Sequence, residues 1–347
     1  MQTRRILTAT AAALTAVVLL AGCSGQNPTS SGATGPIKGQ TITVYNAQHA
    51  ELTKAWSAAF TKATGVKVVE RDGDDTSMAN QLVQEGAASP ADVFLTENSP
   101  AMSLVAKAGM LSPVDKSTLA TVETNHKPSD GLWTGIASRS TVFVYNPKLV
   151  SQADLPKTMA DLENSSWKGR WAAAPSGADY QAIVSAYLDL HGKEATLKWL
   201  EGMKANAKVY QSNTAVMTAV NAGQVPAGII YHYYWYGDQA AGGTNSSNTK
   251  LHYFKNRDAG AFVSTSGGGV IKSSKHQAAA QAFLAFIDGK AGQEILKTGS
   301  SFEYPVASGV EANSALPSLA SLEAPAVDPG RLNSSEVTTL LTRAGLL

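Results

Sequence analysis

The pattern of hydrophobic and polar residues predicts a chain in which short strands and helices alternate. The run 42–47 (ITVYNA) is typical of a buried strand, and Leu52, Trp56 and Phe60 then recur at helical spacing. The later predicted strands are 66–70, 91–96, 141–146, 169–174, 208–212, 227–230 and 260–271, and the later predicted helices are 76–88, 178–191, 214–222 and 276–289. Because helices separate successive strands, we expect an α/β sheet with crossover helices.

The length of this alternating region predicts two lobes. Roughly 300 residues exceed what one hydrophobic core usually serves. We expect the chain to cross between the lobes more than once, with a ligand cleft between them at the carboxyl ends of the strands. The expected N-lobe comprises 39–140 and 265–315, and the expected C-lobe comprises 141–264 and 316–347.

The first 23 residues have the features of an export signal. Arg4 and Arg5 precede an apolar run that is too short for an ordinary membrane span and that ends in LLAGC. This ending resembles a bacterial lipobox, which implies that Cys23 is lipidated. Residues 24–38 are rich in Ser, Gly, Thr and Pro and predict a flexible tether. We therefore expect an extracytoplasmic protein that is lipid-anchored to the cell membrane.

Charge and cysteine content exclude several kinds of partner. Cys23 is the only cysteine, so an intramolecular disulfide or a thiolate metal cluster is excluded. Without the leader, 26 basic residues face 27 acidic residues. A net charge near zero argues against nucleic acid as a partner and against electrostatic capture on a membrane.

Polar side chains follow two of the predicted strands in the first half of the chain. His49 comes after strand 42–47, and Glu97 comes after strand 91–96. Since carboxyl ends of strands border the expected cleft, both side chains are candidates for ligand binding.

A helix start in the second half of the chain is a candidate anion site. Ser176, Gly177 and Ala178 follow strand 169–174 and open a helix, whose free N–H groups and positive dipole end suit an oxyanion. An ordinary serine N-cap explains the same residues, and Asn213 is by the same argument a cap of the next helix.

The aromatic segment IIYHYYWY at 229–236 is unusual in a chain that is 7% aromatic. Aromatic residues after a strand usually pack between sheet and helix. Here the residues from Tyr231 to Tyr236 are consecutive, so no regular element can bury every face without leaving hydroxyls unpaired. Some of these rings therefore face a cleft or solvent.

Two adjacent phenols at a helix start could also bind one hard cation. The pKa of free tyrosine is about 10, so only a strongly acidic metal ion displaces its proton at neutral pH. Zinc prefers His and Cys, and calcium prefers carboxylates and carbonyls. Paired phenolates therefore favour ferric iron. The aromatic residues by themselves are also compatible with core packing or with stacking on an organic ligand.

Several segments resemble the ferric-ion-binding proteins of bacterial iron ABC transporters, within the type I extracellular solute-binding family. The resemblance extends over residues 40–347 and implies a two-lobed periplasmic-binding-protein fold of the type II-like kind. It also implies a monomeric receptor that delivers Fe(III) to an ABC permease. The segments are TVYNAQH (43–49), PADVFLTEN (90–98), PSGA (175–178), SNTAVMTAV (212–220), HYYWY (232–236) and the return segment 258–287.

The resemblance also implies roles for individual residues. The iron ligands carried over are His49, Glu97, Tyr233 and Tyr234. An exogenous anion, carbonate or phosphate, is expected to complete the coordination of Fe(III). Its contacts carry over to Ser176, Gly177, Ala178 and Asn213.

Some positions depart from the family pattern and alter the expected anion site. Phosphate-binding members often have Asn where this chain has Tyr231, and often have Gln where it has Asn98. Other members use a third tyrosine and an arginine that holds carbonate, for which Tyr180 and Arg139 are the candidates. His232 is expected to be a solvent-facing neighbour of the tyrosine pair.

Two other functions are possible on the sequence. A receptor for an organic solute, a sugar or a thiamine-like molecule, could use the same fold with the aromatic segment as a stacking surface. A secreted hydrolase is disfavoured, because the chain has no GxSxG elbow, no Ser-His-Asp order and no paired-carboxylate motif. We therefore expect a binding protein and not an enzyme.

Overall fold

A computed structural model describes residues 37–347 of the protein. The predicted signal sequence, the lipobox Cys23 and nearly all of the tether lie outside the described residues. No helix within 37–347 combines the length and the apolar character needed to cross a membrane.

The predicted alternation of strands and helices is present throughout the described residues. The strands are β1 (Thr41–Asn46), β2 (Lys67–Asp72), β3 (Val93–Leu95), β4 (Leu111–Ser112), β5 (Thr134–Tyr145), β6 (Trp171–Ala173), β7 (Ala207–Val209), β8 (Ala227–Tyr231), β9 (Lys250–His252) and β10 (Val263–Ile271). The helices are α1 (Ala50–Thr64), α2 (Asp75–Glu85), α3 (Ser99–Lys107), α4 (Lys116–Thr121), α5 (Ala178–Asn206), α6 (Asn213–Asn221), α7 (His232–Ala240), α8 (Gln277–Asp288), α9 (Lys290–Thr298) and α10 (Ser334–Arg343).

The strands form one mixed sheet that is divided between two lobes. Its order is β2-β1-β3-β10-β5-β8-β6-β7, with β4 paired to β10 and β9 paired to β5. We use N-lobe for β1–β4 with α1–α4, α8 and α9, and C-lobe for β6–β9 with α5–α7 and α10. Strands β1, β2 and β3 pair in parallel in the N-lobe, and β6, β7 and β8 pair in parallel in the C-lobe.

Two long strands pass from one lobe into the other. The first part of β5, Thr134–Ser140, pairs antiparallel with β10, and its second part, Thr141–Tyr145, pairs antiparallel with β8. The predicted lobe boundaries at 140/141 and 264/265 therefore fall inside continuous strands. The sequence predicted only the apolar second part of β5, because TGIASR before it lacks a hydrophobic alternation even though all of β5 is buried.

Each lobe has its own hydrophobic core on the faces of the sheet. In the N-lobe, Trp56 and Phe60 of α1 are buried, and the ring of Phe60 lies 5.1 Å from that of Phe283 in α8. In the C-lobe, the rings of Trp199 and Tyr187, both in α5, stack at 5.0 Å. The spacing of four residues that predicted α1 thus places its apolar face on the sheet.

Helix α5 is longer than predicted and is interrupted once. Gly192 has φ +79° and ψ 172°, which is not helical, and a second helical segment continues to Asn206. The left-handed backbone at this position favours glycine. The predicted end at residue 191 therefore marks the interruption and not the end of the element.

Candidate metal centre

The first residues of five helices meet at the cleft. His49 is the N-cap of α1 and Asn98 the N-cap of α3, while Asp179 lies in the first turn of α5. Asn213 begins α6, and the tyrosine pair lies in the first turn of α7. Helix N-termini carry partial positive charge, so this arrangement favours anionic side chains and anionic forms of tyrosine.

The N-lobe contributes an imidazole and a carboxylate. Nε2 of His49 lies 3.4 Å from Oε1 of Glu97, and their side chains are 30% and 23% exposed. Burial lowers the pKa of His49, so its imidazole is neutral and able to donate a lone pair to a metal. Burial raises the pKa of Glu97 well above its usual range, although Arg139 opposes this shift.

The C-lobe contributes the tyrosine pair. The rings of Tyr233 and Tyr234 stack at 4.3 Å. Their hydroxyls donate to the same oxygen, Oδ2 of Asp179, at 3.1 and 3.0 Å. Burial, followed by the charge of Asp179, raises the pKa of both phenols, so both hold their protons in the absence of a cation.

The two lobes touch at these groups. The His49 ring meets the Tyr233 ring edge-on at 4.9 Å. The residues expected to bind iron from opposite lobes are therefore brought together. Within 37–347, no group of three or more His, Cys, Asp or Glu side chains forms a metal site by itself.

Arg139 lies beneath this cluster in a buried ion pair with Glu303. The guanidinium also donates to Oγ of Ser266 at 2.6 Å and lies 3.6 Å from Oε2 of Glu97. Its carbon is 5.3 Å from the centre of the Tyr233 ring. Burial opposes the charge of Arg139, but Glu303 and Glu97 outweigh it and raise the pKa. Arg139 is thus paired with protein carboxylates, while its buried Nε and Nη1 make no hydrogen bond among the described residues.

Asp179 accepts a hydrogen bond from one of the residues that were expected to contact an exogenous anion. Asn213, a predicted anion contact, donates from Nδ2 to Oδ2 of Asp179 at 2.7 Å. The Gly177 N–H donates to the Ala174 carbonyl at 3.0 Å, so it is not free. Ser176 is exposed and Ala178 begins α5.

The structure does not bring Tyr180 to the cluster. Its side chain is buried in the C-lobe core, its hydroxyl contacts Sδ of Met203 at 2.8 Å, and its ring stacks on Trp199. A helix turns by about 100° per residue, so the side chain next to Asp179 points away from the cleft. Tyr180 therefore packs the core.

The expectation for His232 was wrong. This residue is fully buried, its Nδ1 accepts from the Ser140 N–H at 3.1 Å, and its Nε2 lies 2.8 Å from the Phe302 carbonyl oxygen. Burial lowers its pKa to about 3, so it is a neutral structural link. Because α7 begins directly after a buried strand, its first residue still faces the sheet.

Sequence reasoning missed Asp179 and Glu303. A signal for Asp179 was present, since an acidic residue in the first turn of a helix expected to hold an anion could replace that anion. Glu303 follows no predicted element, and only the tertiary structure places it beside Arg139.

The donor set of this cluster suits a hard, highly charged cation. It offers two phenols, two carboxylates and a neutral imidazole from both lobes. A cation binding among them would displace the phenol protons and connect the lobes.

Comparisons with known proteins agree with this chemistry. Residues 88–328 match the family model described as bacterial extracellular solute-binding protein. Over 308 residues the chain is 60% identical to the Fe(3+)-binding periplasmic protein of Serratia marcescens, covering 89% of this chain and 91% of that protein.

Two solved structures are similar over nearly the same region. Iron-bound HitA from Pseudomonas aeruginosa has a TM-score of 0.82 at 41% identity, covering 88% of this chain and 100% of that one. The Trichodesmium protein IdiA (FutA), in complex with iron and citrate, has a TM-score of 0.79 at 27% identity, with the same coverage.

Proposed function

Because the chain belongs to the bacterial extracellular solute-binding protein family, we propose that it is a receptor that captures Fe(III) outside the cytoplasm and delivers it to an ABC permease for iron uptake. The observation that carries this proposal is the meeting of the paired phenols with Asp179, directly opposite His49 and Glu97. The relatives named for iron support the same cargo. A receptor for an organic solute is less well supported, and we expect no enzymatic activity.

The ligands in this proposal are His49, Glu97, Asp179, Tyr233 and Tyr234. Fe(III) is acidic enough to replace the phenol protons, which burial otherwise retains. Each of the two tyrosines then supplies a phenolate oxygen. Because binding expels protons, acidification favours the metal-free protein and weakens the complex.

In this proposal the carboxylate of Asp179 replaces the exogenous synergistic anion. It already accepts from both phenols and from Asn213, the contact expected to hold carbonate or phosphate. Two carboxylates and two phenolates carry more negative charge than Fe(III) neutralises, and the charge of Arg139 is matched by Glu303. An additional anion would meet an unfavourable potential.

We also propose that the receptor is a monomer held at the cell membrane through lipidated Cys23. This residue lies outside the described residues, so the proposal rests on the lipobox-like LLAGC and the polar segment after it.

The visible spectrum tests the proposed cargo. Phenolates bound to Fe(III) produce a ligand-to-metal charge-transfer band, which neither a packed core nor a surface that stacks on a sugar can give. We expect purified protein to become coloured with ferric citrate, and the double variant Tyr233→Phe, Tyr234→Phe to stay colourless while keeping its fold. A colourless wild type in saturating Fe(III), or a double variant with the wild-type band, would contradict the assignment.

A further inference from the structure

The side chain of Asn98 bonds to both lobes at once. Its Nδ2 donates to Oδ2 of Asp75 in the N-lobe at 3.2 Å and to Oδ1 of Asp179 in the C-lobe at 2.9 Å. Its Oδ1 accepts from the hydroxyls of Ser264 at 3.1 Å and Tyr231 at 3.4 Å. Asn98 itself is 1% exposed.

These contacts use the full capacity of the amide. A side-chain amide has two N–H donors and one oxygen with two lone pairs, and each of them has a partner here. Rotating the amide by half a turn would place its oxygen against two carboxylates and its NH₂ group against two hydroxyls. One orientation is therefore strongly favoured.

The backbone of Asn98 is held as firmly as its side chain. The carboxylate of Asp75 accepts from the N–H of Glu97 and from the N–H of Asn98, both at 2.9 Å. Asp75 thus fixes the turn that carries both Glu97 and the amide. A movement of the Asp179 carboxylate away from the N-lobe would break a bond to a fixed partner.

The two oxygens of Asp179 consequently have separate partners. Oδ1 accepts from Asn98 across the cleft, and Oδ2 accepts from the two phenols and from Asn213 within the C-lobe. Binding of a cation at Oδ2 would change only the second set of partners. The bond from Asn98 to Oδ1 needs no change.

We propose that Asn98 is a cross-lobe latch that holds Asp179 in its binding orientation and favours closure of the cleft before the cargo arrives. The predicted effect of Asn98 on cargo affinity rests on the proposed function, whereas its predicted effect on closure of the cleft does not. The two departures from the family pattern, at Asn98 and Tyr231, then belong to one hydrogen-bonded arrangement that orients the Asp179 carboxylate.

A matched pair of variants tests the latch. Asn98→Ala and Asn213→Ala each remove one amide donor to Asp179, but only the first removes a bond between lobes. We expect ligand-free Asn98→Ala to have a larger radius of gyration than wild type by small-angle X-ray scattering, and ligand-free Asn213→Ala to match wild type. Ligand-free scattering of Asn98→Ala identical to wild type would overturn the proposal.

The affinity measurement separates a positioning role from a general loss of structure. We expect Asn98→Ala to lower the Fe(III) affinity about 10- to 100-fold in competition with a chelator too large to enter the cleft, the usual effect of losing a hydrogen bond to a charged group. In an Asp179→Ala background the same change should have almost no further effect, because the latch acts through Asp179. Losses that multiply in the double variant would contradict that role.

Two controls keep the outcome interpretable. Circular dichroism and thermal unfolding verify that each variant folds. If Asn98→Ala does not fold, the isosteric Asn98→Asp replaces it. This variant places a carboxyl group against Asp75 and Asp179, so it should also open the ligand-free protein. If the wild type fails to bind Fe(III), the proposed function fails, but the ligand-free scattering still decides whether Asn98 holds the lobes together.

Discussion

Asp179 determines the electrostatics of the cleft at the scale of single residues. Its carboxylate collects three hydrogen bonds on one oxygen, two of them from phenols that burial keeps protonated. A buried carboxylate is stable without a cation only when hydrogen-bond donors compensate its charge, as these three do. In the proposed complex the same carboxylate becomes a ligand when the donors are lost, so one residue would serve both states.

This role predicts how the receptor depends on added anions. We expect wild-type protein to form its coloured Fe(III) complex in buffer free of phosphate and bicarbonate, with iron supplied as a weak chelate. Asp179→Ala should bind poorly there and recover on addition of phosphate, carbonate or citrate, which would fill the space of the missing carboxylate. Anion titrations followed by visible absorbance measure both. A wild type that needs added anion would show that Asp179 is not the resident anion.

At the scale of elements, β5 and β10 connect the lobes and also form the floor of the cleft. Arg139 stands on β5 and Ser266 on β10, so the buried ion pair with Glu303 is built on the two shared strands. Gly135 in β5 is closely approached by the turn that ends at His126 and by β10, so an added Cβ would lie 2.1 Å from the carbonyl oxygen of His126 and 2.8 Å from Cγ2 of Thr265. A backbone atom cannot move aside as a flexible side chain can.

We therefore expect Gly135→Ala to destabilise the protein by about 1–3 kcal/mol through overpacking of a buried strand. Gly237→Ala is the matched control, because Gly237 lies in α7 with no atom within 4 Å of an added Cβ. That change should be neutral or stabilising by up to about 1 kcal/mol, since alanine favours a helix. Chemical denaturation compares the free energies of unfolding. Equal values for the two variants would contradict the close approach seen at β5.

At the scale of the whole molecule, the proposed ligands come from both lobes, so a bound cargo would connect them. His49 and Glu97 belong to the N-lobe, and Tyr233, Tyr234 and Asp179 belong to the C-lobe. A ligand shifts a conformational equilibrium only through contacts that differ between the states. Fe(III) therefore favours the closed form to the extent that both sets of ligands bind it.

We expect Glu97→Ala to keep the charge-transfer band of the iron complex but to lose much of the iron-induced closure of the cleft. The phenolates remain in this variant, so a charge-transfer band persists, but one N-lobe ligand is lost. We expect iron to decrease the radius of gyration of the wild type and to decrease that of Glu97→Ala much less. Scattering with and without iron, on samples whose absorbance confirms loading, makes the comparison. Full compaction of the coloured variant would show that the N-lobe carboxylate does not drive closure.

The proposed anchor predicts where the whole protein is found in its cell. We expect the native protein to fractionate with membranes and to shift to the aqueous phase in Triton X-114 partitioning when Cys23→Ala prevents lipidation, unless the precursor stays unprocessed. Mass spectrometry of the mature N-terminus detects the lipid directly. Wild-type protein released without lipid into the medium would contradict the anchor.

The local sequence determined much of the fold. Hydrophobic spacing in α1 and the apolar second half of β5 predicted those elements, because burial of one face is a periodic property of neighbouring residues. The sequence also predicts the chemistry of the tyrosine pair, since the acidity of a phenol restricts the metals that it binds. The first part of β5 could not be predicted, because its burial comes from pairing with β10 far along the chain.

Only the tertiary structure decided which groups share the cleft. Asp179 meets the hydroxyl of Tyr233 across 54 residues of sequence, and Arg139 meets Glu303 across 164. Such partners depend on how strands from two lobes are ordered in one sheet, which local periodicity does not encode. Tyr180 and His232 were misassigned for the same reason. Elements distant in sequence bury both side chains, and residue type alone does not distinguish a buried aromatic residue from a phenol that faces the cleft.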